Sequence, residues 1–136
     1  MLARMLGKLL NLFRSKVPAF VAPVESDLTV SESGLGYQIL EAGGSWHPDA
    51  TDFVTVRYAG WTTDGKSFDA SFPGTASFPL NKVIGGWTEG LQLIGEGGSI
   101  RLVIPPALGY GARGAPPKIG PNATLIFLVE LQKIGP

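Results

Sequence analysis

No cysteine occurs in the 136 residues, so the chain has no disulfide frame, no thiolate metal site and no thiol nucleophile. The same absence leaves the redox compartment open. Histidine is nearly missing too. His47 stands alone, which argues against a histidine-based metal site and against a Ser-His-Asp triad. Its setting, "GSWHPDA", reads as a solvated turn. Charge is sparse at 16 %, below the roughly 25 % of an average soluble protein. Long apolar runs are lacking as well. The N-terminal stretch "MLARMLGKLLNLFRSK" is broken by Arg4, Lys8 and Arg14, so it is too interrupted to span a bilayer. It also lacks the unbroken apolar region of a secretory signal.

Glycine and proline are abundant, at 19 and 11 residues, which implies many turns and short strands. The length fits one domain with a real core. The formal charge of zero hides an asymmetry. Residues 1–24 carry four basic residues and no acid, whereas the remainder carries seven basic and eleven acidic residues. The globular part therefore lacks the basic footprint of a nucleic-acid binder, and no nucleic acid is expected as a partner. Only the N-terminal segment is suited to an anionic surface.

That segment, residues 1–16, places Leu2, Met5, Leu6, Leu9 and Phe13 on one helical face. It reads as a basic amphipathic helix that lies on a membrane surface, targets the chain, packs on a partner, or docks on its own domain. The expected location is the cytoplasm, with membrane-surface attachment or targeting through this helix as the alternative. Residues 17–26, "VPAFVAPVES", read as a linker stiffened by Pro18 and Pro23. Residues 27–136 then form the domain proper, which is expected to fold and function without residues 1–22.

Within that domain the pattern is mostly strand. "DLTVSE" and "GYQILEAG" are short candidates, and "TDFVTVRYAGW" alternates with Val54, Val56 and Tyr58 on one face. Asp64-Gly65 marks a hairpin turn. "SFPL" contains Pro79 and reads as an edge strand or bulge. "GGWTEGLQLIGEGG" carries Trp87, Leu91 and Ile94 at helical spacing and stops at a glycine cluster, a helix of about two turns. Ile100, Leu102 and Ile104, then Leu125, Phe127, Val129 and Leu131, face inward from two further strands. Antiparallel strands around one short helix make an α+β domain.

One loop invites a wrong reading. "LGYGARGAPPKIGPNATL" contains G-x-G-x-x-G at Gly109, Gly111 and Gly114. A dinucleotide fingerprint needs a helix opening directly after it, whose N-terminus holds the pyrophosphate. Pro116, Pro117 and Pro121 forbid that helix.

The motif order "VTVRYAGWTTDGKSFDAS", "FPLNKVIGGWTEGLQLIGEGG" and "LVIPPALGYGARGAPPKIGPNATLIFLVEL" resembles the FKBP-type peptidyl-prolyl cis–trans isomerases over about Leu28 to Ile134. The resemblance implies a bent antiparallel sheet wrapped around one short α-helix, with the amphipathic extension ahead of it. It implies an enzyme that turns X-Pro bonds between cis and trans during protein folding, with proline-containing polypeptides as partners and no cofactor or metal. A prolyl-peptide-binding chaperone or adaptor with little turnover is the alternative. Many members also bind rapamycin-type macrolides in the same pocket. By resemblance, Tyr58, Phe68, Asp69, Trp87, Tyr110 and Phe127 are the catalytic pocket residues, with Trp87 as the floor and the Tyr110 hydroxyl reaching the substrate carbonyl. Val83 and Ile84 offer backbone N–H groups to the ligand, and Ile119 completes the wall. There are departures. Ala76 stands where eukaryotic members carry a further pocket aromatic, and Ala115 replaces a larger group at the loop tip. No arginine lies between Asp69 and Phe78 to pair with Asp69. These weaken the expectation of tight macrolide binding.

Overall fold

A computed structural model describes residues 17–71 and 73–136; the helix expected over 1–16 lies outside the described residues. Among the described residues seven strands form one antiparallel sheet: β1 (Thr29–Val30), β2 (Gly36–Glu41), β3 (Phe53–Thr62), β4 (Ser67–Ala70), β5 (Ala76–Pro79), β6 (Ser99–Ile104) and β7 (Leu125–Ile134). Their order is β1-β2-β6-β7-β3-β4, and β5 also pairs with β3. β4 and β5 take successive stretches of β3, with Ala59 facing Ala70 and Val56 facing Ala76. The "SFPL" segment is thus an edge, and Pro79 sits at the end of its ladder opposite Phe53, where a missing N–H costs least. "DLTVSE" contributes only the two residues of β1 before the chain turns at Glu32 and Ser33.

The concave face of the sheet holds the main core. Val54, Val56, Ile100, Leu102, Ile104, Leu125, Val129 and Leu131 are all fully buried there, as is Leu91 from the helix. Helix α1 (Gly85–Gly90) continues as a 3-10 turn over Leu91–Leu93, and Ile94 returns to extended backbone before the glycines. Six helical residues are far too few to hold together alone. Packing fixes them instead. A Cβ at Gly86 would lie 2.7 Å from the Ile104 side chain, and one at Gly90 would lie 2.6 Å from that of Leu102. The glycine side of the helix therefore rests directly on β6, while the Thr88 hydroxyl donates to Leu80 O at 2.7 Å.

A second cluster lies on the convex face, where Ala59, Trp61, Ile126 and Leu128 are buried. Val17 and Phe20 cover it, and the Phe20 ring meets the Trp61 ring edge-on at 5.8 Å. Residues 17–26 run without regular structure to Val24 and then make a 3-10 turn over Glu25–Asp27. Their prolines mark them as a linker, yet they are docked on the domain. Packing of the Phe20 ring on Trp61 offsets the entropy lost in ordering the segment.

Candidate active site

The bent sheet and α1 leave a cavity of about 500 Å³ between them, lined by residues of β3, β4, β5 and β7, the helix with the residues just before it, and the loop between β6 and β7. β3 delivers Tyr58 by its two-residue alternation after Val54 and Val56. β7 delivers Phe127 opposite Gly60. At Gly60 the backbone carries no side chain because two rings already fill the space: a Cβ there would sit 2.6 Å from Phe127 Cε1 and 2.8 Å from Phe68 Cζ. α1 delivers Trp87, which is 5 % exposed.

The rings meet edge to face around that indole. Trp87 lies 4.9 Å from Tyr58 and 5.1 Å from Phe127, both close to perpendicular, and Phe78 tilts against it at 5.6 Å. Phe68 meets Phe127 at 5.3 Å and 90°. Such edge-on geometry is the favoured aromatic arrangement and contributes about 0.5–1.5 kcal/mol per pair beyond burial. The wall is therefore apolar and stiff.

Few polar groups reach it. The Tyr58 hydroxyl donates to Asp69 Oδ2 at 2.6 Å. Burial, and then the hydrogen bond and charge of Asp69, push the Tyr58 phenol well above the ordinary tyrosine range, so it stays protonated and keeps donating. Among the described residues, Ile84 N–H, at the mouth of α1, donates to no backbone carbonyl. Tyr110 is 41 % exposed at the rim. The loop that carries it turns through Gly111 and Gly114, both at positive φ. At Gly114 a Cβ would meet Gly120 O at 2.5 Å, and the strand-like bridge between Ala115 and Ile119 closes the loop tip. The glycine spacing thus shapes a rim.

The family described as FKBP-type peptidyl-prolyl cis-trans isomerase matches residues 44–132. The chain belongs to the FKBP-type isomerase family. It is 51 % identical over 105 residues to a probable FKBP-type isomerase FkpA of Neisseria meningitidis, covering 76 % of this chain and 39 % of that protein. It is 49 % identical over 114 residues to FkpA of Escherichia coli, covering 82 % and 42 %. The chain thus spans about two fifths of the length of these curated relatives. The crystal structure of Escherichia coli FkpA superposes with a TM-score of 0.78, covering 82 % of this chain and 53 % of that one. A peptidyl-prolyl cis-trans isomerase from Pseudomonas syringae superposes at 0.75 with 33 % identity, covering 98 % and 92 %. The FKBP fold read from the motif order is the fold observed.

Of the residues that the FKBP resemblance singles out, Tyr58, Phe68, Asp69, Val83, Ile84, Trp87, Tyr110 and Phe127 line the cavity together. Ile119 does not. It is 4 % exposed and belongs to the main core cluster, as Trp87 and Phe127 also do, and its backbone is bridged to Ala115. Ala76, the position where eukaryotic members carry a pocket aromatic, lines the cavity too, and two further lining residues escaped the sequence reading, Phe78 and Lys82. Ala76 and Phe78 share one face of β5 by simple alternation, a signal present in "ASFP". Lys82 carries no pattern, and only the 3-10 turn Leu80–Lys82 brings it to the rim. Gly60 was likewise invisible, since its importance lies in the two rings it admits.

Proposed function

We propose that this chain accelerates cis–trans isomerisation of X-Pro bonds in polypeptides. The observation that carries the reading is the aromatic cavity floored by Trp87, about 500 Å³ in volume, within the roughly 300–1,000 Å³ of ligand pockets. Rotation about an X-Pro bond faces a barrier near 18–20 kcal/mol because the planar amide is resonance-stabilised. At the twisted transition state that resonance is lost, and the carbonyl is less dipolar. A dry aromatic wall therefore disfavours the planar ground state more than the twisted one. This is differential binding and requires neither nucleophile nor metal. Trp87, Phe68 and Phe127 receive the proline ring. Ile84 N–H and the Tyr110 hydroxyl orient the flanking carbonyls, and Asp69 is held in place by Tyr58. A thousandfold acceleration asks for about 4 kcal/mol of differential stabilisation, which a few oriented contacts supply.

The test is exchange of an Ala-Leu-Pro-Phe peptide with and without micromolar protein. Faster exchange is expected. Binding with no change in exchange rate would replace the enzyme by a prolyl-peptide-binding chaperone or adaptor. Rapamycin-type macrolides enter the same cavity, with affinity limited by the open wall at Ala76. Residues 1–16 add contact with anionic membrane surfaces, which binding to anionic vesicles at low salt, lost on deleting those residues, would support. Indifference of the full chain to such vesicles removes that part.

A further inference from the structure

Beside the aromatic cavity lies a second concavity of about 400 Å³, and Phe68 belongs to the walls of both. Its other walls are the β3–β4 turn, with Thr62, Asp64 and Lys66, and the tip of the Tyr110 loop, with Pro117 and Lys118. The charges here are unevenly committed. Asp64 is engaged by its own turn, accepting from the Thr62 hydroxyl at 2.5 Å and from Lys66 N–H at 3.0 Å. Lys66 Nζ stands 4.0 Å from the same carboxylate, with both side chains largely in solvent. Among the described residues Lys118 pairs with no carboxylate. The distribution over the domain sharpens the point. Residues 17–136 hold seven basic and eleven acidic residues. Yet the two concavities together present Lys66, Lys82 and Lys118 against only Asp64 and Asp69. Asp69 is itself occupied by the Tyr58 hydroxyl. A basic site is set into an acidic domain, which attracts acidic chains to this face and repels them elsewhere.

We propose that the cleft between the β3–β4 turn and the loop tip is a substrate subsite for an acidic side chain, an aspartate or glutamate of the polypeptide whose proline occupies the aromatic cavity. The inference rests on the isomerase reading and adds its substrate class. Phe68, which walls both concavities, sets the subsite directly beside the prolyl cavity, within reach of residues flanking the proline.

The experiment measures both exchange rate and affinity for a peptide centred on Leu-Pro, in a neutral version and in versions with glutamate moved through the flanking positions. At low ionic strength, glutamate at the matching positions on one side of the proline should raise kcat/KM about two- to fivefold over the neutral peptide, through KM, as an exposed ion pair allows. The gain should vanish at high salt. In the Lys66→Gln, Lys118→Gln double variant the acidic-to-neutral ratio should fall to one, and Lys118→Glu should turn the preference toward lysine-bearing peptides. A wild-type ratio of one at every position, or an unchanged ratio in the double variant, overturns the subsite. If the neutral peptide exchanges no faster with protein than without, the isomerase reading fails instead. The subsite is then decided by the affinities of the same peptides, read from amide chemical-shift titrations: a preference for the acidic peptide that depends on Lys118 sustains it, and equal affinities overturn it.

Discussion

Gly60→Ala adds one methyl group where the structure has no room for it. The new Cβ would lie 2.6 Å from Phe127 Cε1, 2.8 Å from Phe68 Cζ and 2.9 Å from Phe127 Cδ1, against 3.4 Å at the short end of ordinary contact. The backbone is restrained chiefly by the long β3–β7 ladder, in which Gly60 pairs with Phe127, while the short ladder to β4 pairs it with Asp69. Relief must come from the two rings, which have to withdraw by about 0.8 Å. Overpacking of this kind costs about 1–3 kcal/mol. The same displacement moves two walls of the prolyl cavity, and misplacement by about 1 Å costs on the order of a hundredfold in rate. Urea unfolding should show a lower midpoint with an unchanged slope. Peptide exchange, measured where the variant is still fully folded, should fall by ten- to a hundredfold, about 1.4–2.7 kcal/mol. Adding Phe68→Leu should recover part of the stability, since it removes one of the two clashing rings, and the pair should be non-additive. Wild-type exchange and an unchanged midpoint in Gly60→Ala would show that the rings yield freely. The account of a stiff aromatic wall would then be wrong.

Asp69→Asn should lose about tenfold in rate, because the Tyr58 hydroxyl keeps an oxygen acceptor but loses its charge. Phe68→Ala should lose at least as much, and a loss of 10²–10⁴ in Asp69→Asn alone would point to proton transfer instead. The raised Tyr58 phenol makes the folded state hold its proton more tightly than the unfolded chain does. Stability tied to it is complete below about pH 10 and declines as pH rises beyond that, toward the folded value. Thermal melts across this range should show a shallower alkaline decline in Tyr58→Phe, and an identical slope would contradict the assignment. Deleting residues 1–16 should leave the melting curve of the domain unchanged. Deleting 1–22 removes the Phe20 ring from Trp61 and should cost about 1–2 kcal/mol, with red-shifted tryptophan emission, since Phe20 is half-buried. Equal stability of the two truncations would show that this contact contributes nothing.

Local pattern carried the concave face well. Alternation in β3, β6 and β7 marks the residues that are buried there, and Trp87, Leu91 and Ile94 are buried as their spacing predicts. Only Trp87 lies in the α-helix, however, which is shorter than two turns and gives way to a 3-10 turn at Leu91. It failed where burial is two-sided. Ile126 and Leu128 alternate with the inward-facing positions, yet they are 4 % and 5 % exposed, packed in a second cluster that Val17 and Phe20 cover. Nothing in "VPAF" announces this, for a single aromatic among prolines has no period. Ile119 shows the limit in the loop. Its place in the motif order puts it near the pocket, whereas its burial in the main core and its bridge to Ala115 depend on the closure of the loop, which no local period encodes.

The two faces of the sheet act on one hairpin. β4 is an edge strand, held by a short ladder to β3 that is interrupted by a bulge between Gly60 and Trp61. A strand so weakly paired is the part of the sheet most prone to local opening, yet it carries Phe68 and Asp69 into the cavity. Two contacts compensate. On the concave side Tyr58 fixes Asp69 and Phe127 meets Phe68. On the convex side Ala70 packs into the cluster of Trp61 and Phe20, and the Phe20 ring comes within 3.1 Å of the Cβ position at Gly65, in the hairpin turn itself. The absence of a side chain at Gly65 is what admits that ring, just as its absence at Gly60 admits Phe68 and Phe127. The glycines therefore bring aromatic rings against both sides of the hairpin, and the segment ahead of the domain contributes to holding the wall against which proline must turn.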